Sequence, residues 1–351
     1  MIDKIQLANK IIGTAQKPFI IAEMSGNHNQ SLDRAFEIVK AAADAGVNAI
    51  KLQTYTADTI TFNGTSEEFV IKDENSLWKG QKLYDLYKQA YTPWEWHQPI
   101  FDYAKQLGLI GFSSPFDTTA VNFLESLNVP LYKIASFENT DQILLKRVAQ
   151  TGKPVIMSTG VATIADIQES IEVLRANGCK DLVLLKCTST YPASPENTNI
   201  RTIPHMRDLY NCLVGLSDHT MGIGASLAAV ALGACVIEKH LTLSRAEGGV
   251  DAAFSLEPEE FENLVIETER AFLALGQVNY ELSEKEKKSL QFKRSLYVVK
   301  DLEAGEIITR EHIRSIRPGN GLHTRHYEDI IGKIIRKNVK AGTPVSFDLF
   351  K

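Results

Sequence analysis

Cysteine is scarce in this chain. The four present, Cys179, Cys187, Cys212 and Cys235, form no Cys-x-x-Cys, and three of them lie in apolar strand-like runs. Buried free thiols in a reducing compartment are therefore expected rather than disulfides or a thiolate metal cage. No apolar run reaches the ~20 residues needed to span a bilayer. Residues 1–20 also lack the apolar core and small-residue cleavage site of a signal peptide. A cytoplasmic protein without membrane association is the expectation. Basic stripes with interleaved aromatics are missing as well, and a net charge of −5 offers a polyanion nothing to hold, which excludes nucleic acid as a partner. The densest charge run, Lys285-Glu286-Lys287-Lys288, reads as a solvated helix face or linker. There is no Gly-x-Gly-x-x-Gly turn after the first strand and no Gly-Lys-Ser/Thr phosphate loop, which argues against a doubly wound nucleotide-binding sheet.

What the chain does have is enough apolar residue for a large core, 44% against 23% charged. Its 351 residues suit an α/β domain of ~250 residues plus a smaller one. From Phe19 onward, short β-branched and aliphatic runs alternate with amphipathic stretches of helical period. Strands are expected over 19–23, 48–54, 109–113, 131–135, 155–158, 182–187, 214–219 and 236–240. Each is followed by a helical pattern, the last over 257–275, and Ser31 is the expected N-cap of the first helix, with Gly46 closing it. Eight βα units are the arithmetic of a (β/α)8 TIM barrel, whose active site lies at the C-terminal strand ends. A long polar excursion with scattered aromatics, 55–90, follows the second strand and is expected to cover that site. The expected organisation is a barrel over 1–282, a linker over 283–290 and a small β domain over 291–351. In that last part Ala304-Gly305-Glu306-Ile307-Ile308-Thr309 is echoed by Ala341-Gly342-Thr343-Pro344-Val345-Ser346.

Chemistry concentrates where the strands end. Val214-Gly215-Leu216-Ser217-Asp218-His219 and Val236-Ile237-Glu238-Lys239-His240 each close an apolar run with a histidine. As parallel neighbours joined by a helix, they would bring His219 and His240 to one end of the sheet. Two imidazoles on adjacent strands can share a divalent metal and leave positions open for substrate. The other strand ends supply Glu23, Lys51 with Gln53, Ser114, Lys133 with Ser136 and Glu138, and Ser189 with Tyr191, alongside Ser217. Polar groups at the tips of apolar strands are costly to bury unpaired, so they point to a site. Lys51 and Lys133, with the Ser114, Ser136 and Ser217 hydroxyls, suit a phosphate or carboxylate; ion pairs with Glu23 or Glu138 are the competing structural role. Glu23 and Glu138 serve either as general acid and base or as counter-ions. Asp251, after the eighth strand, binds substrate hydroxyls or is a plain turn residue. Arg317 is presented by the loop Ile316-Arg317-Pro318-Gly319-Asn320-Gly321.

These residues stand in segments that together resemble the sialic acid synthase family over nearly the whole chain. The carrying segments are Ile21 to Asn29, Lys51-Leu52-Gln53-Thr54-Tyr55, Ser113-Ser114-Pro115-Phe116, Tyr132 to Glu138, Gly215 to Thr220, Glu238-Lys239-His240 and Arg317 to Gly321. The resemblance implies a barrel followed by an antifreeze-like (SAF) domain, in a homodimer where each C-terminal domain covers the partner's barrel. It implies an enzyme that condenses phosphoenolpyruvate with an N-acetylated amino sugar in its open aldehyde form and releases phosphate by C–O cleavage. By motif position, Lys51, Ser114, Lys133, Ser136, Ser189, Tyr191 and Ser217 would contact phosphoenolpyruvate, and His219 and His240 would hold Mn²⁺ or Mg²⁺. Gln53 and Asp251 would bind the sugar, and Arg317 would reach the other subunit's site. Glu23 is the first choice for the proton of the attacking water, Glu138 the second.

Ser25-Gly26, Ser189, Ala135-Ser136-Phe137-Glu138 and Ser244 to Asp251 depart from the sialic pattern and resemble the family's pseudaminic branch. The implied sugar is 2,4-diacetamido-2,4,6-trideoxy-L-altrose, with N-acetylmannosamine and the legionaminic precursor as alternatives. Two other classes compete: a metal-independent Schiff-base aldolase using Lys133 or Lys51, and a non-catalytic sugar-binding protein.

Overall fold

The computed structural model describes residues 2–74 and 76–351. Met1 and Asn75, which fall in the expected barrel segment and in the excursion, lie outside the described residues. The chain divides into two compact units, one ending at Gly276 and the other running from Gln277 to Lys351.

The first unit begins with an antiparallel hairpin, β1 (Lys4–Leu7) and β2 (Lys10–Gly13), which has no counterpart among the elements expected from sequence. Eight strands then follow: β3 (Phe19–Glu23), β4 (Ala49–Thr54), β5 (Ile110–Pro115), β6 (Tyr132–Ile134), β7 (Val155–Ser158), β8 (Leu182–Cys187), β9 (Leu213–Asp218) and β10 (Val236–His240). All pair in parallel, and β10 returns to β3 to close the barrel, the TIM-barrel class read from the sequence. Helices on the outside start where the sequence offers caps. Ser31 accepts a hydrogen bond from the Arg34 N–H, and Asp117, Asp141 and Thr163 do the same for the helices Thr118–Ser126, Gln142–Ala149 and Ile164–Ala176. Among the described residues, no helix is long and apolar enough to cross a membrane.

The period of two along each strand sorts the barrel into tiers. Phe19, Ile21, Ala49, Ile110, Phe112, Leu131, Ile156, Val183, Leu185, Leu213 and Val236 form one apolar cluster inside the barrel, and Ile5, Leu7 and Ile12 of the hairpin join it. The hairpin is therefore the floor of the barrel. The next inward positions up each strand are Glu23, Lys51, Gln53, Ser114, Lys133, Ser158, Cys187, Ser217, Glu238 and His240, so the polar tier sits directly above the apolar one. Gly215 occupies an inward position where a Cβ would meet the Val236 carbonyl at 2.2 Å and the Leu185 side chain at 2.7 Å, so only glycine lets β8, β9 and β10 approach this closely.

The excursion after β4 carries its own structure, with short helices Ala57–Ile60 and Leu83–Ala90. It is tied back to the barrel mouth where the Trp78 indole N–H donates to the Val250 carbonyl at 3.1 Å.

The second unit has an antiparallel pair, β11 (Ser295–Val298) and β12 (Ile313–Ile316), around a core that includes Leu296, Leu302, Ile313, Ile330, Ile335 and Phe350. The two sequence echoes form equivalent turns. Gly305 and Gly342 both take positive φ, 95° and 90°, and their N–H groups donate to Ile335 and Val298 carbonyls, each at 2.8 Å. The charged run after Gly276 is a short exposed helix, Glu284–Lys288, capped by Ser283.

One ion pair in the barrel wall has no solvent contact at all. Lys239 Nζ lies 3.1 Å from Asp218 Oδ2, both side chains being 0% exposed, and the Asp218 carboxylate also accepts from Thr220 and Ser226. Removing one partner leaves a buried charge without compensation. Lys239→Met is expected to lower stability by about 3–5 kcal/mol, read as a shift in the chemical-denaturation midpoint; an unchanged midpoint would show the pair to be energetically idle.

Candidate active site

The polar tier is built from strand register. Parallel pairing places Glu23 beside both Lys51 and His240, Glu238 beside Ser217, and Gln53 beside Ser114. Neighbouring inward side chains therefore meet as pairs. Lys51 Nζ lies 2.5 Å from Glu23 Oε2 and 3.9 Å from Glu238 Oε1, and donates to Ser114 Oγ at 3.3 Å. Lys133 Nζ donates to Ser158 Oγ at 2.6 Å and lies 3.5 Å from Glu238 Oε1. Glu238 also accepts from Ser217 Oγ at 3.2 Å. The buried counter-ion of Lys133 is thus Glu238, where the sequence offered Glu23 or Glu138; β10 carries Glu238 on its inward face, whereas Glu138 stands in the short turn after β6.

These four charges shift one another in opposite directions. Burial would raise Glu238, but Lys133 and Lys51 outweigh it and hold the carboxyl below its usual range. Glu23 moves up, because burial outweighs Lys51, with the Glu238 charge adding to the rise. Lys133 is lowered by burial, with Glu238 opposing. Glu138 has a buried oxygen with no hydrogen-bond partner, and burial pushes it up to about 7.

The serines gather at one corner. Ser136 Oγ accepts from the Gly160 N–H at 3.2 Å, and a Cβ at Gly160 would sit 2.1 Å from Ser189 Oγ and 2.7 Å from Ser136 Oγ. Glycine is what opens this corner between Ser136, Ser158 and Ser189, close to the Lys133 ammonium. On the other side Gln53 donates to Glu23 at 2.9 Å and to Ser25 at 3.2 Å, and Ser25 in turn donates to the buried Asp251 carboxylate, which burial raises.

The two histidine rings stand 5.4 Å apart. His219 Nδ1 lies 3.0 Å from the Thr188 carbonyl, which fixes that nitrogen as the donor and leaves Nε2 free. His240 Nδ1 is buried without a partner, and burial, reinforced by the positive charges around it, keeps the ring well below the usual imidazole range and so neutral. His219 moves the other way: burial would lower it, but Cys187, the Thr188 carbonyl and Glu238 raise it, so of the two imidazoles His240 is the one held neutral. A divalent cation shared by the pair would favour the unprotonated form of both. Among the described residues no group of three or more histidine, cysteine or carboxylate side chains is placed to hold a metal ion. Tyr191 packs 4.5 Å from His219, and Phe254 4.9 Å from His240, walling the pair.

The barrel thus collects Glu23, Lys51, Gln53, Ser114, Lys133, Ser136, Ser189, Tyr191, Ser217, His219, His240 and Asp251 around one mouth, with Glu138 at its rim. Arg317 lies in the second unit, exposed just beyond β12, without an ion-pair partner among the described residues. Sequence reasoning passed over Ser158 and Glu238 as site residues, although the period of two identifies both: each is the inward residue one step above the apolar tier. Cys187, the inward residue of β8 next above Leu185 and 3.8 Å from His219 Nδ1, follows from the same period, whereas Ser25 was hidden because only the folded loop after β3 brings it beside Asp251.

Known proteins resemble this chain in sequence and in fold. The NeuB family sequence model matches residues 38–280, and that of the SAF domain matches 293–351. The pseudaminic acid synthase of Campylobacter jejuni subsp. jejuni serotype O:2 is 44% identical over 338 residues, 96% of this chain and 97% of the relative. That of Helicobacter pylori is 41% identical, over 95% and 98%. Among solved structures, the N-acetylneuraminic acid (sialic acid) synthetase from Leptospira borgpetersenii serovar Hardjo-bovis in complex with citrate superposes with a TM-score of 0.73 at 32% identity, covering 83% of this chain and 96% of that one. With a barrel of this topology, a polar mouth of this composition and matches of this length, the chain belongs to the NeuB family and carries a C-terminal SAF domain.

Proposed function

We propose that this chain is a pseudaminic acid synthase, condensing phosphoenolpyruvate with 2,4-diacetamido-2,4,6-trideoxy-L-altrose and water to give pseudaminic acid and phosphate. The observation that carries the chemistry is one barrel mouth holding two buried lysines, a serine-lined corner opened by Gly160, and a histidine pair. The choice of sugar rests on the relatives named above. Lys51 and Lys133 compensate the negative charge of phosphoenolpyruvate, with Ser114, Ser136, Ser158, Ser189 and Ser217 as hydrogen-bonding partners. His219 and His240 would hold Mn²⁺ or Mg²⁺, which supplies Lewis-acid polarisation of the sugar aldehyde.

The enol C3 of phosphoenolpyruvate forms the new C–C bond to the aldehyde carbon, and positive charge develops at C2. The buried carboxylates face that charge and stabilise it. The aldehyde oxygen takes the carbonyl electron pair and is protonated to the new hydroxyl. Water adds to C2 with loss of one proton to a carboxylate, and the C2–O bond to phosphate breaks as the remaining C2 hydroxyl gives up its proton and becomes the ketone. Glu138 suits the proton transfer better than Glu23, because Glu23 is engaged by Lys51 and Gln53 whereas Glu138 has an unpartnered oxygen and a pKa near the working pH. Gln53, Ser25 and Asp251 form the sugar side. Arg317, exposed and without an ion-pair partner, acts on the sugar in the other subunit of a homodimer.

The deciding assay is phosphate release from phosphoenolpyruvate against the three candidate sugars, with and without Mn²⁺. Release with the altrose sugar alone is expected, and preference for N-acetylmannosamine would overturn the sugar assignment. His219→Ala and His240→Ala are expected to abolish turnover with circular dichroism unchanged, and EDTA to do the same to the unmodified protein. Activity surviving EDTA, with a lysine trapped by borohydride, would instead identify a Schiff-base aldolase. A carboxyl at about 7 that must be ionised makes kcat/KM fall as pH drops through about 7. Glu138→Gln should remove that limb and slow turnover by about 10²–10⁴-fold; a limb that persists would remove Glu138 from the proton transfer. Arg317→Ala should raise KM for the sugar about tenfold or more and leave KM for phosphoenolpyruvate within about twofold. Co-expressing Arg317→Ala with His219→Ala should restore activity in mixed dimers, since one mouth then has both residues intact; no restoration would place Arg317 in its own subunit's site.

A further inference from the structure

Lys186 is a half-buried cation that the proposed reaction does not use. Along β8, Val183 and Leu185 face the barrel interior while Leu182 and Leu184 pack among the helices, so Lys186 belongs to the outward set. It stands at the C-terminal rim, on the outside of the wall. There it opens into a groove of about 440 Å³ lined by Thr159, Val161, Thr163, Lys186, Thr188 and Ser189, among others.

Two features make this groove a place for an anion. Lys186 Nζ donates to the Cys187 carbonyl at 2.9 Å and to Thr188 Oγ1 at 3.4 Å, and no carboxylate lies within ion-pair distance among the described residues. A partly desolvated ammonium without a counter-ion is costly, and burial accordingly lowers its pKa. The rim beside it is strained: Val161, β-branched, takes φ +56° and exposes 73% of its surface, a conformation that costs energy and is concentrated at functional sites. Asp166, at the start of the helix after β7, accepts from Thr163 Oγ1 at 2.7 Å and from the Thr163 N–H at 2.8 Å, as the partner in that helix's capping box.

The groove and the serine corner stand back to back. Ser189 and Cys187 line the groove, and Ser189 also faces Gly160 and Ser136 on the inner side. We propose that the groove floored by Lys186 is a second phosphate site, outside the β7–β8 rim, which takes up the inorganic phosphate released from phosphoenolpyruvate as it leaves the barrel. This rests on the phosphate-releasing reaction proposed above. The groove shares Ser189 with the inner corner, but Lys186, Thr163 and Val161 belong to the groove alone, so a phosphate held by Lys186 is bound while phosphoenolpyruvate occupies the mouth.

The test is equilibrium dialysis of radiolabelled inorganic phosphate against the full-length protein with saturating phosphoenolpyruvate and no sugar. One phosphate per chain is expected for the unmodified protein and for Lys186→Arg, with binding at least about tenfold weaker for Lys186→Met. In steady state, phosphate inhibition against phosphoenolpyruvate should be mixed for the unmodified protein and purely competitive for Lys186→Met, with KM for phosphoenolpyruvate within about twofold of unmodified. A role confined to holding Thr188 would leave the dialysis result unmoved. The proposal is overturned if phosphate does not bind alongside phosphoenolpyruvate, if Lys186→Met binds it equally well, or if that variant raises KM for phosphoenolpyruvate in parallel. Binding without phosphate release during turnover would leave the site standing and remove the reaction assigned to the mouth.

Discussion

Glu238 sits in the barrel mouth within reach of two ammonium groups, Lys51 at 3.9 Å and Lys133 at 3.5 Å, and the rest of the site is arranged around that contact. Four charges share a volume nearly closed to solvent, and none could be buried there alone. With Glu23 on the far side of Lys51, positive and negative charges are equal in number before substrate arrives. Both ammonium groups beside the serine corner are thus already paired, Lys51 with Glu23 and Lys133 with Glu238. The two carboxyls are shifted unequally, Glu238 held ionised by two lysines and Glu23 raised by burial.

That arrangement depends on a barrel whose lower half is closed. The hairpin side chains Ile5, Leu7 and Ile12 fill the N-terminal end, and the inward Phe, Ile, Leu and Val residues of the strands complete a dry floor. Above it, one step along each strand, the same alternation delivers the charged and hydroxyl-bearing residues. Low dielectric below and fixed dipoles above make each interaction in the mouth stronger than it would be in water. The outer wall uses the alternate residues of the same strands: Lys239 and Asp218 lock β9 to β10, and Lys186 faces the groove beside β7.

The loops contribute positions that periodicity does not describe. Ser25 reaches Asp251 from the opposite end of the barrel sequence, and Thr188 orients His219 through a backbone carbonyl that no side-chain motif encodes. The excursion after β4 contributes Trp78, anchored to Val250 and 5.9 Å from Tyr191, so its expected place over the mouth has a specific contact behind it. The N-terminal hairpin was legible in principle, since Ile5 and Leu7 alternate with polar neighbours. Four-residue strands joined through Ala8 and Asn9 carry too little pattern to stand out, and their stability comes from the barrel floor they cover.

By itself the sequence determined the eight βα units, the cap at Ser31 and the chemical character of each strand tip, because periodicity and capping are local properties of a few consecutive residues. Only the tertiary structure decided which carboxylate meets which lysine, that Glu238 and not Glu138 partners Lys133, and that no carboxylate among the described residues lies within ion-pair distance of Lys186. Those pairings follow from closure of the sheet, which sets β10 against β3 and so makes neighbours of His240 and Glu23, residues that no local rule connects.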